Sequence, residues 1–351
     1  MKKSLIALAV LAASGAAMAQ SSVTIYGLAD VWVGSQKDTT GTTSAGSFGK
    51  MASNEGFATS RLGFKGTEDL GGGLKANFQL ETTVGFDSPS STSLGDRQAW
   101  VGLSGGFGEV QLGRVWTPYD DTRALINDTF NANFASSFNV WELYFDRTSN
   151  GIRYNTPSFG GLTGSVAYAF GEDKTTTSKA SNLTSFSLNY ANGPIAAGVA
   201  HQIEKDTNAG AGIYADQSTL SGLLGASVSK RTYTLINGSY DLGVVKLLAG
   251  YNTVKATSSA VAGNAKANEF NVGAEMPLGS ALALGVGYAE SQVKVNGVDQ
   301  NDTTGYSAAL KYSLSKRTFT YAGLTKEEEE TAAGAPVAKK TRVFVGVSHS
   351  F

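Results

Sequence analysis

The sequence predicts an all-β protein: a transmembrane antiparallel β-barrel of about 16 strands. Apolar and polar residues alternate along many segments, and short turns alternate with longer polar loops. The composition of 43 Gly, 6 Pro, 14 Tyr and 17 Phe suits many strands joined by tight turns and flanked by aromatic girdles. The mean hydropathy of −0.10 agrees with this, because lipid-facing apolar residues alternate with lumen-facing polar ones.

The chain opens with a segment typical of export. Lys2 and Lys3 precede an apolar run that ends in Ala17-Met18-Ala19. This pattern predicts a signal peptide over residues 1–19. A membrane anchor is disfavoured, because the run is shorter than the ~20 residues that a spanning helix needs. Residues 20–351 are predicted to form one barrel domain, since no linker or composition shift divides them.

Composition also excludes several classes of function. The chain has no cysteine, which excludes disulfides and thiol chemistry, and its formal net charge of −1 gives no argument for nucleic-acid binding. His201 and His349 are the only histidines and have no partner at metal-ligand spacing, so we expect no metal and no cofactor. Glu327 to Glu330, with Lys339 and Lys340, are interpreted as a solvated loop, with divalent-ion or lipopolysaccharide contacts as the alternative.

Residues 22–35 form a first strand with one apolar face, and a polar stretch to residue 54 reads as an external loop. Residues 57–67 and 74–86 form the clearest hairpin, joined by residues 68–73. Further alternation is plain at 162–170, 270–276, 282–288 and 306–314, and longer polar loops are expected at 171–181, 205–217, 256–267, 293–302 and 326–340.

The chain ends in a fully alternating strand. Val343, Val345, Val347, His349 and Phe351 share one face. A barrel in lipid has no free edge, so we expect this strand to pair with the first.

Residues 116–149 keep no period of two for long and carry many aromatic side chains. A long segment of this kind is usually functional or disordered, and so many aromatics argue against a solvated tail. Inside a closed barrel, the place for it is the lumen, where it would narrow the passage. A packed surface loop is the alternative.

Several motifs resemble the general porins of Gram-negative bacteria, most closely the branch found in Neisseria, Burkholderia and Comamonas relatives. They extend over essentially the whole mature chain: Ser22-Val23-Thr24-Ile25-Tyr26-Gly27, Ser60-Arg61-Leu62-Gly63-Phe64-Lys65-Gly66, Arg97-Gln98-Ala99-Trp100-Val101-Gly102-Leu103 and the terminal Gly346 to Phe351. The resemblance implies a homotrimer of barrels in the outer membrane, each a water-filled pore whose third external loop folds into the lumen. The implied partners are small hydrophilic solutes and ions, outer-membrane lipids and lipopolysaccharide, and the barrel-assembly machinery.

The predicted site is a basic wall in the pore. Leu62 and Phe64 are interpreted as lipid-facing, which turns Arg61 inward; Trp100 is interpreted in the same way, which turns Arg97 inward. Ile152 and Tyr154 likewise turn Arg153 inward. By resemblance, these three arginines match the family's pore-lining cluster, and an ordinary polar lumen lining is the alternative.

The opposing carboxylates are harder to assign, because the Pro-Glu-Phe-Gly motif of the enteric porins is missing from the loop. The candidates are Asp120, Asp121 and Asp128. By resemblance, the terminal Phe351 is the assembly signal.

The expected function is passive diffusion with a modest anion preference, because rings of basic side chains favour anions. No catalytic Ser/His/Asp arrangement is evident, so we expect no enzyme. The alternatives are a substrate-selective channel or an adhesin and, less favoured, an outer-membrane hydrolase.

Overall fold

The described chain folds into one antiparallel sheet of 17 strand segments that closes on itself. The structure is a computed structural model and describes residues 22–54, 56–89, 93–126, 130, 132, 137–206, 220–225 and 227–351. The predicted signal peptide, residues 1–19, lies outside these ranges. The strands are β1 (Ser22–Thr40), β2 (Thr43–Ala52), β3 (Arg61–Gly71), β4 (Leu74–Thr83), β5 (Gln98–Gly105), β6 (Gly108–Trp116), β7 (Arg147–Asn155), β8 (Leu162–Phe170), β9 (Asn182–Asn192), β10 (Ile195–Lys205), β11 (Lys230–Asp241), β12 (Lys246–Thr257), β13 (Asn264–Pro277), β14 (Leu282–Val295), β15 (Val298–Ser313), β16 (Thr318–Thr331) and β17 (Pro336–Ser350).

The barrel has sixteen strand positions, because β2 and β3 share one of them. Residues 32–40 of β1 pair with β2, and residues 22–28 of β1 pair with β3. Between these two segments, Phe57 points into the barrel, and its ring stacks on that of Tyr321 at 4.2 Å between ring centroids. The prediction of about 16 strands is therefore confirmed. The predicted strand start at residue 57 is wrong, since β3 begins at Arg61.

The barrel closes between β17 and β1, which pair from Leu28↔Ser350 to Thr40↔Ala338. Val343, Val345 and Val347 of β17 are exposed on the outward face, while Phe344 and Ser348 are buried on the inward face. Closure leaves no open strand edge in lipid, and the alternation follows from the period of two in the sequence.

One rim carries the tight connections and the other carries the longer ones. The short turns include those at Gly72 and Gly243, where φ is positive, as glycine allows. At the opposite rim the strands run further than the sequence predicts. The stretches 36–54, 293–302 and 326–340 were predicted to be loops and are largely strand. Hydrogen bonds between neighbouring strands continue there although both faces of the sheet are polar. The sequence therefore lacks the alternation of apolar and polar residues by which a strand is recognised.

The helices with bounds inside the described ranges are short. They are α1 (Pro118–Arg123), α2 (Leu220–Leu224) and the 3-10 helices η1 (Ala124–Ile126) and η2 (Ser137–Val140). Within the described ranges, no helix has the length and apolar character needed to cross a membrane.

Candidate functional site

The described residues between β6 and β7, which are 117–126, 130, 132 and 137–146, begin with α1 and are here called the inner loop. Thr117 caps this helix by accepting a hydrogen bond from the backbone N–H of Asp120, and Pro118 opens its first turn. Both residue types suit a helix start, since a threonine side chain satisfies a free N–H and proline needs none. The sequence therefore starts a helix where β6 ends.

Three glutamates of the barrel wall accept backbone N–H groups of the inner loop. Glu204 accepts from Phe145 at 2.8 Å, and Glu269 accepts from Glu142 at 2.6 Å. Glu275 accepts from Phe130 at 2.7 Å. Glu204 and Glu269 are almost fully buried on the inward faces of β10 and β13. The loop backbone is thus bound to the inside of the wall by charge-assisted hydrogen bonds.

Polar wall side chains satisfy further loop groups. Asn237 donates to the carbonyl of Thr122 at 2.6 Å, and Tyr233 donates to the carbonyl of Leu143 at 2.6 Å. At Gly305 the wall approaches η2 so closely that a Cβ would lie 2.2 Å from the carbonyl oxygen of Ser137. Only glycine admits this approach without a shift of the loop.

The aromatic side chains of the inner loop explain why it packs rather than extends into water. Tyr119, Phe138 and Trp141 are buried in one apolar cluster that includes Tyr233 and Leu235 of β11. At its other end, Phe130 stacks on Phe57 at 6.0 Å. The loop therefore contacts the inward face of the wall from β9 to β16.

A cavity of about 580 Å³ separates the loop from the opposite part of the wall. Four arginines line it. Two lie on the barrel wall, at the start of β3 and just before β5; the other two lie at the end of α1 and at the start of β7. Its charged lining residues are Arg61, Arg97, Arg123, Arg147, Asp120 and Asp146, and its aromatic ones are Phe57, Trp116, Phe138, Trp141 and Tyr144.

Arg61 and Arg97 share one carboxylate. Arg97 donates from Nε to Oε1 of Glu81 at 2.7 Å, and Nε of Arg61 lies 3.9 Å from Oε2 of the same residue. Tyr26 also donates to Glu81, at 2.9 Å. The pair of arginines thus carries one more positive charge than its shared counterion.

The prediction that Trp100 faces the lipid, and thereby turns Arg97 inward, is wrong. Val101 and Leu103 are the exposed residues of β5, so Trp100 lies on the inward face, where its Nε1 donates to Gln98 at 3.2 Å. Arg97 precedes the strand, and the bend there turns its side chain to Glu81. The alternation of inward and outward side chains along β5 therefore does not determine the direction of Arg97.

Arg123 and Arg147 were not singled out from the sequence. Arg123 lies over the rings of Phe138 at 4.4 Å and Tyr144 at 4.7 Å. Arg147 lies over Trp116 at 3.7 Å and pairs with Asp146 at 3.0 Å. Stacking on ring faces holds a guanidinium in a fixed position while it keeps its charge.

Arg153 lies apart from the other arginines. It faces inward but lines a second cavity of about 490 Å³, with Asp121, on the side of the short turns. Its Nη2 pairs with Asp121, and its Nη1 donates to the carbonyl of Trp116 at 2.9 Å. The structure therefore brings Arg61 and Arg97 together but not Arg153.

The three candidate loop carboxylates have different positions. Asp120 lines the arginine cavity and accepts a hydrogen bond from the Tyr144 hydroxyl. Asp121 pairs with Arg153, and Asp128 lies outside the described residues. Burial, and next the charge of Asp146, raise the pKa of Asp120 to about 7.

Comparison with known proteins decides the family. The model for the Gram-negative porin family matches residues 5–332. The chain belongs to this family. Outer membrane porin protein 32 of Delftia acidovorans is 35% identical over the full length of both chains, and a porin protein of Bordetella pertussis is 30% identical over the same share. The solved anion-selective porin of Comamonas acidovorans is 28% identical, with a TM-score of 0.76 over 95% of this chain and 100% of that one.

The resemblance seen in the sequence is thereby confirmed, and the function follows from it. This porin is an outer-membrane channel for passive diffusion, and it is not an enzyme. The substrate-selective, adhesin and hydrolase alternatives are not favoured. In the described ranges, no group of three or more acidic or histidine side chains is arranged to hold a metal ion.

Proposed function

We propose that this porin conducts small hydrophilic solutes and ions with a modest anion preference, and that the arginine cavity is its constriction. The observation that carries the proposal is the presence of four arginines on one cavity between the inner loop and the facing wall. In this proposal the inner loop narrows the lumen, and the cavity beside it is the tightest part of the passage.

The charge balance at this cavity supports the sign of the preference. Four arginines line it, against the lining carboxylates Asp120 and Asp146 and the adjacent Glu81. The formal sum is +1 when all three carboxylates are charged. Fixed charges within a few ångströms of a passing ion are weakly screened compared with the ~8 Å screening length of physiological salt. This local excess acts where the barrier is highest, so it outweighs the slightly acidic chain as a whole.

The basic wall of the constriction comprises Arg61 and Arg97, to which the cavity adds Arg123 and Arg147. Arg153, paired with Asp121, serves as a second charged position towards the rim of short turns. Asp120 is the acidic residue of the constriction, whereas Asp128 has no assigned position. A relative that is itself described as anion-selective supports the same preference here.

The test is the zero-current potential of the purified protein in a planar bilayer under a KCl gradient. The proposal predicts a potential displaced towards the equilibrium potential of chloride. A displacement towards that of potassium contradicts it.

Assembly belongs to the same proposal. A signal peptide over residues 1–19 directs export, residues 20–351 form the mature barrel, and three copies assemble into a homotrimer. A structure of OmpT of Vibrio cholerae in trimer form, with a TM-score of 0.68 and 14% identity, supports the fold's capacity for this arrangement. Phe351 presents the assembly signal to the barrel-assembly machinery, and lipopolysaccharide surrounds the outer rim.

A further inference from the structure

Residues 56–60, here called the inward segment, lead into β3 and are fixed to the inside of β1. The buried hydroxyl of Ser60 accepts the backbone N–H of Asp30 on β1 at 2.9 Å and donates to the carbonyl of Ser53 at 2.7 Å. Ser53 directly follows β2, and its N–H donates to the carboxylate of Asp87 at 3.0 Å. One hydroxyl thus joins the end of the inward segment to β1 and to the end of β2.

The inward segment begins with a glycine that lies directly on the wall. A Cβ at Gly56 would lie 2.3 Å from the hydroxyl oxygen of Tyr321 and 2.4 Å from Oδ1 of Asp30. Tyr321 donates to this same oxygen of Asp30 at 2.6 Å. A larger residue at position 56 would displace this hydrogen-bonded pair, whereas glycine lets Phe57 reach the ring of Tyr321.

Phe57 connects the wall to the inner loop. Only 4% of it is exposed. Its ring centroid lies 5.8 Å from that of Phe319 on β16 and 6.0 Å from that of Phe130 in the inner loop. These separations are within the range of favourable aromatic contacts. The inward segment therefore holds the inner loop at a point that the wall glutamates do not supply alone.

The backbone of Phe130 depends on contacts of this kind. Its φ is 65°, a left-handed value that a phenylalanine rarely adopts. Its N–H donates to Glu275 at 2.7 Å, and Nζ of Lys311 lies 5.6 Å from its ring centroid. A sparsely populated conformation persists only where the surrounding contacts fix it. Loss of the Phe57 ring is therefore expected to release this part of the inner loop.

The inward segment also lines the arginine cavity. Phe57, Ala58 and Thr59 border the cavity beside Arg61, which begins β3, and residues of the inner loop border it as well. Two parts of the chain that fold into the barrel, rather than the inner loop alone, therefore set the width of this space.

We infer that the inward segment is a second constriction element of the pore and that Phe57 determines the size of the solutes that pass. The inference rests on the proposed function, because it takes the arginine cavity as the tightest part of the passage. The ring occupies space at the border of the cavity, and its contact with Phe130 holds the inner loop in place. Because Phe57 is uncharged, its removal widens the passage without reversal of the ion preference.

The test is the swelling rate of liposomes that contain the purified porin, measured with arabinose, glucose and sucrose as neutral solutes of increasing size. Phe57→Ala removes the ring, and Phe57→Leu keeps most of its volume. Thr59→Trp adds bulk at the border of the cavity. Phe48→Ala is the matched control, because this phenylalanine of β2 is 43% exposed and lies outside the cavity. Heat-modifiable migration on gels verifies that each variant forms the barrel.

Phe57→Ala is expected to raise the ratio of the sucrose rate to the arabinose rate, whereas Phe57→Leu and the control keep the wild-type ratio. Thr59→Trp is expected to lower it. In Phe57→Ala, the amide of Phe130 should exchange on the order of 2- to 10-fold faster, which is the change that loss of one aromatic pair produces. The zero-current potential under a KCl gradient should keep its sign.

An unchanged sugar ratio in both Phe57→Ala and Thr59→Trp would overturn the inference. An equal rise in Phe57→Ala and Phe48→Ala would also overturn it, since that result shows a general loosening of the barrel. Arg147→Ala separates this failure from failure of the proposed function, because Arg147 lines the same cavity from β7. If only Arg147→Ala displaces the zero-current potential towards that of potassium and the sugar ratio never changes, the inference fails and the proposed function stands. If no variant changes either quantity, the cavity is not the constriction and both fail.

Discussion

The ring of Phe351 lies over Gly27, where the end of the chain meets β1. The two residues exchange backbone hydrogen bonds of 3.1 Å in both directions. A Cβ at Gly27 would lie 2.3 Å from Cζ of Phe351, so a larger residue there displaces the ring. The last ladder contact of the barrel therefore depends on one aromatic and one glycine.

Barrel closure should accordingly fail when either partner changes. Removal of Phe351, its replacement by Asp, or Gly27→Val is expected to leave a chain that is exported but inserts poorly, because lipid cannot satisfy an open edge. The measurement is the amount of heat-modifiable barrel in the outer membrane. Gly49→Val is the control, since a Cβ at Gly49 meets nothing within 4 Å. Wild-type levels for the Phe351 deletion would refute the role of this residue.

The inner loop should loosen when a wall glutamate is removed. Glu269 accepts from Glu142 N–H, Asn252 and Ser291. Glu269→Ala leaves buried donors without this acceptor, at a cost of about 1–3 kcal/mol for each unsatisfied group. We expect faster amide exchange over residues 137–145 and noisier single-channel current, with the strands unchanged.

The control for this loop variant is Glu290→Ala, because Glu290 is on the outward face, where its carboxylate accepts from Gln292. If Glu269→Ala exchanges and conducts as the wild type does, the glutamate contacts do not hold the loop.

Much of the fold could be predicted because a barrel strand has two chemically different faces. The alternation from Val343 to Phe351 gave both the face of β17 and its need for a partner, and β1 is that partner. Where both faces are polar, the same signal vanishes. Residues 43–47 show this, since this part of β2 carries no large apolar side chain and pairs with the polar end of β1.

The site was less predictable, because the inner loop has no period from which a face can be read. Arg123 and Arg147 are ordinary charged residues in the sequence, and their positions depend on stacking with Phe138 and Trp116. Arg153 shows the converse limit. The alternation of inward and outward residues along β7 places the Arg153 side chain inside the barrel. Alternation gives no information about depth along the barrel axis, however, and Arg153 lies in a different cavity.

Ion preference should depend on pH through Asp120, whose pKa is raised to about 7. Below that pH the carboxyl is neutral, so the cavity becomes more positive and the preference for chloride should rise between pH 8 and pH 6. Asp120→Asn should hold the low-pH value throughout. Both histidines lie on outward faces, so they do not contribute to this change. A pH-independent potential in the wild type would contradict the assignment.

The arginine cavity is tested most directly by reversal of its charge balance. Arg61→Ser with Arg97→Ser leaves Arg123 and Arg147 against Glu81, Asp120 and Asp146, so the formal sum changes from +1 to −1. Lys316→Ser with Arg317→Ser removes the same charge from an exposed turn and is the control.

The decisive measurement is therefore the zero-current potential of these two double variants and the wild type under one KCl gradient. We predict that the Arg61/Arg97 variant changes from chloride preference to potassium preference, while the control keeps the wild-type potential. An unchanged potential in the Arg61/Arg97 variant would show that these arginines do not form the filter.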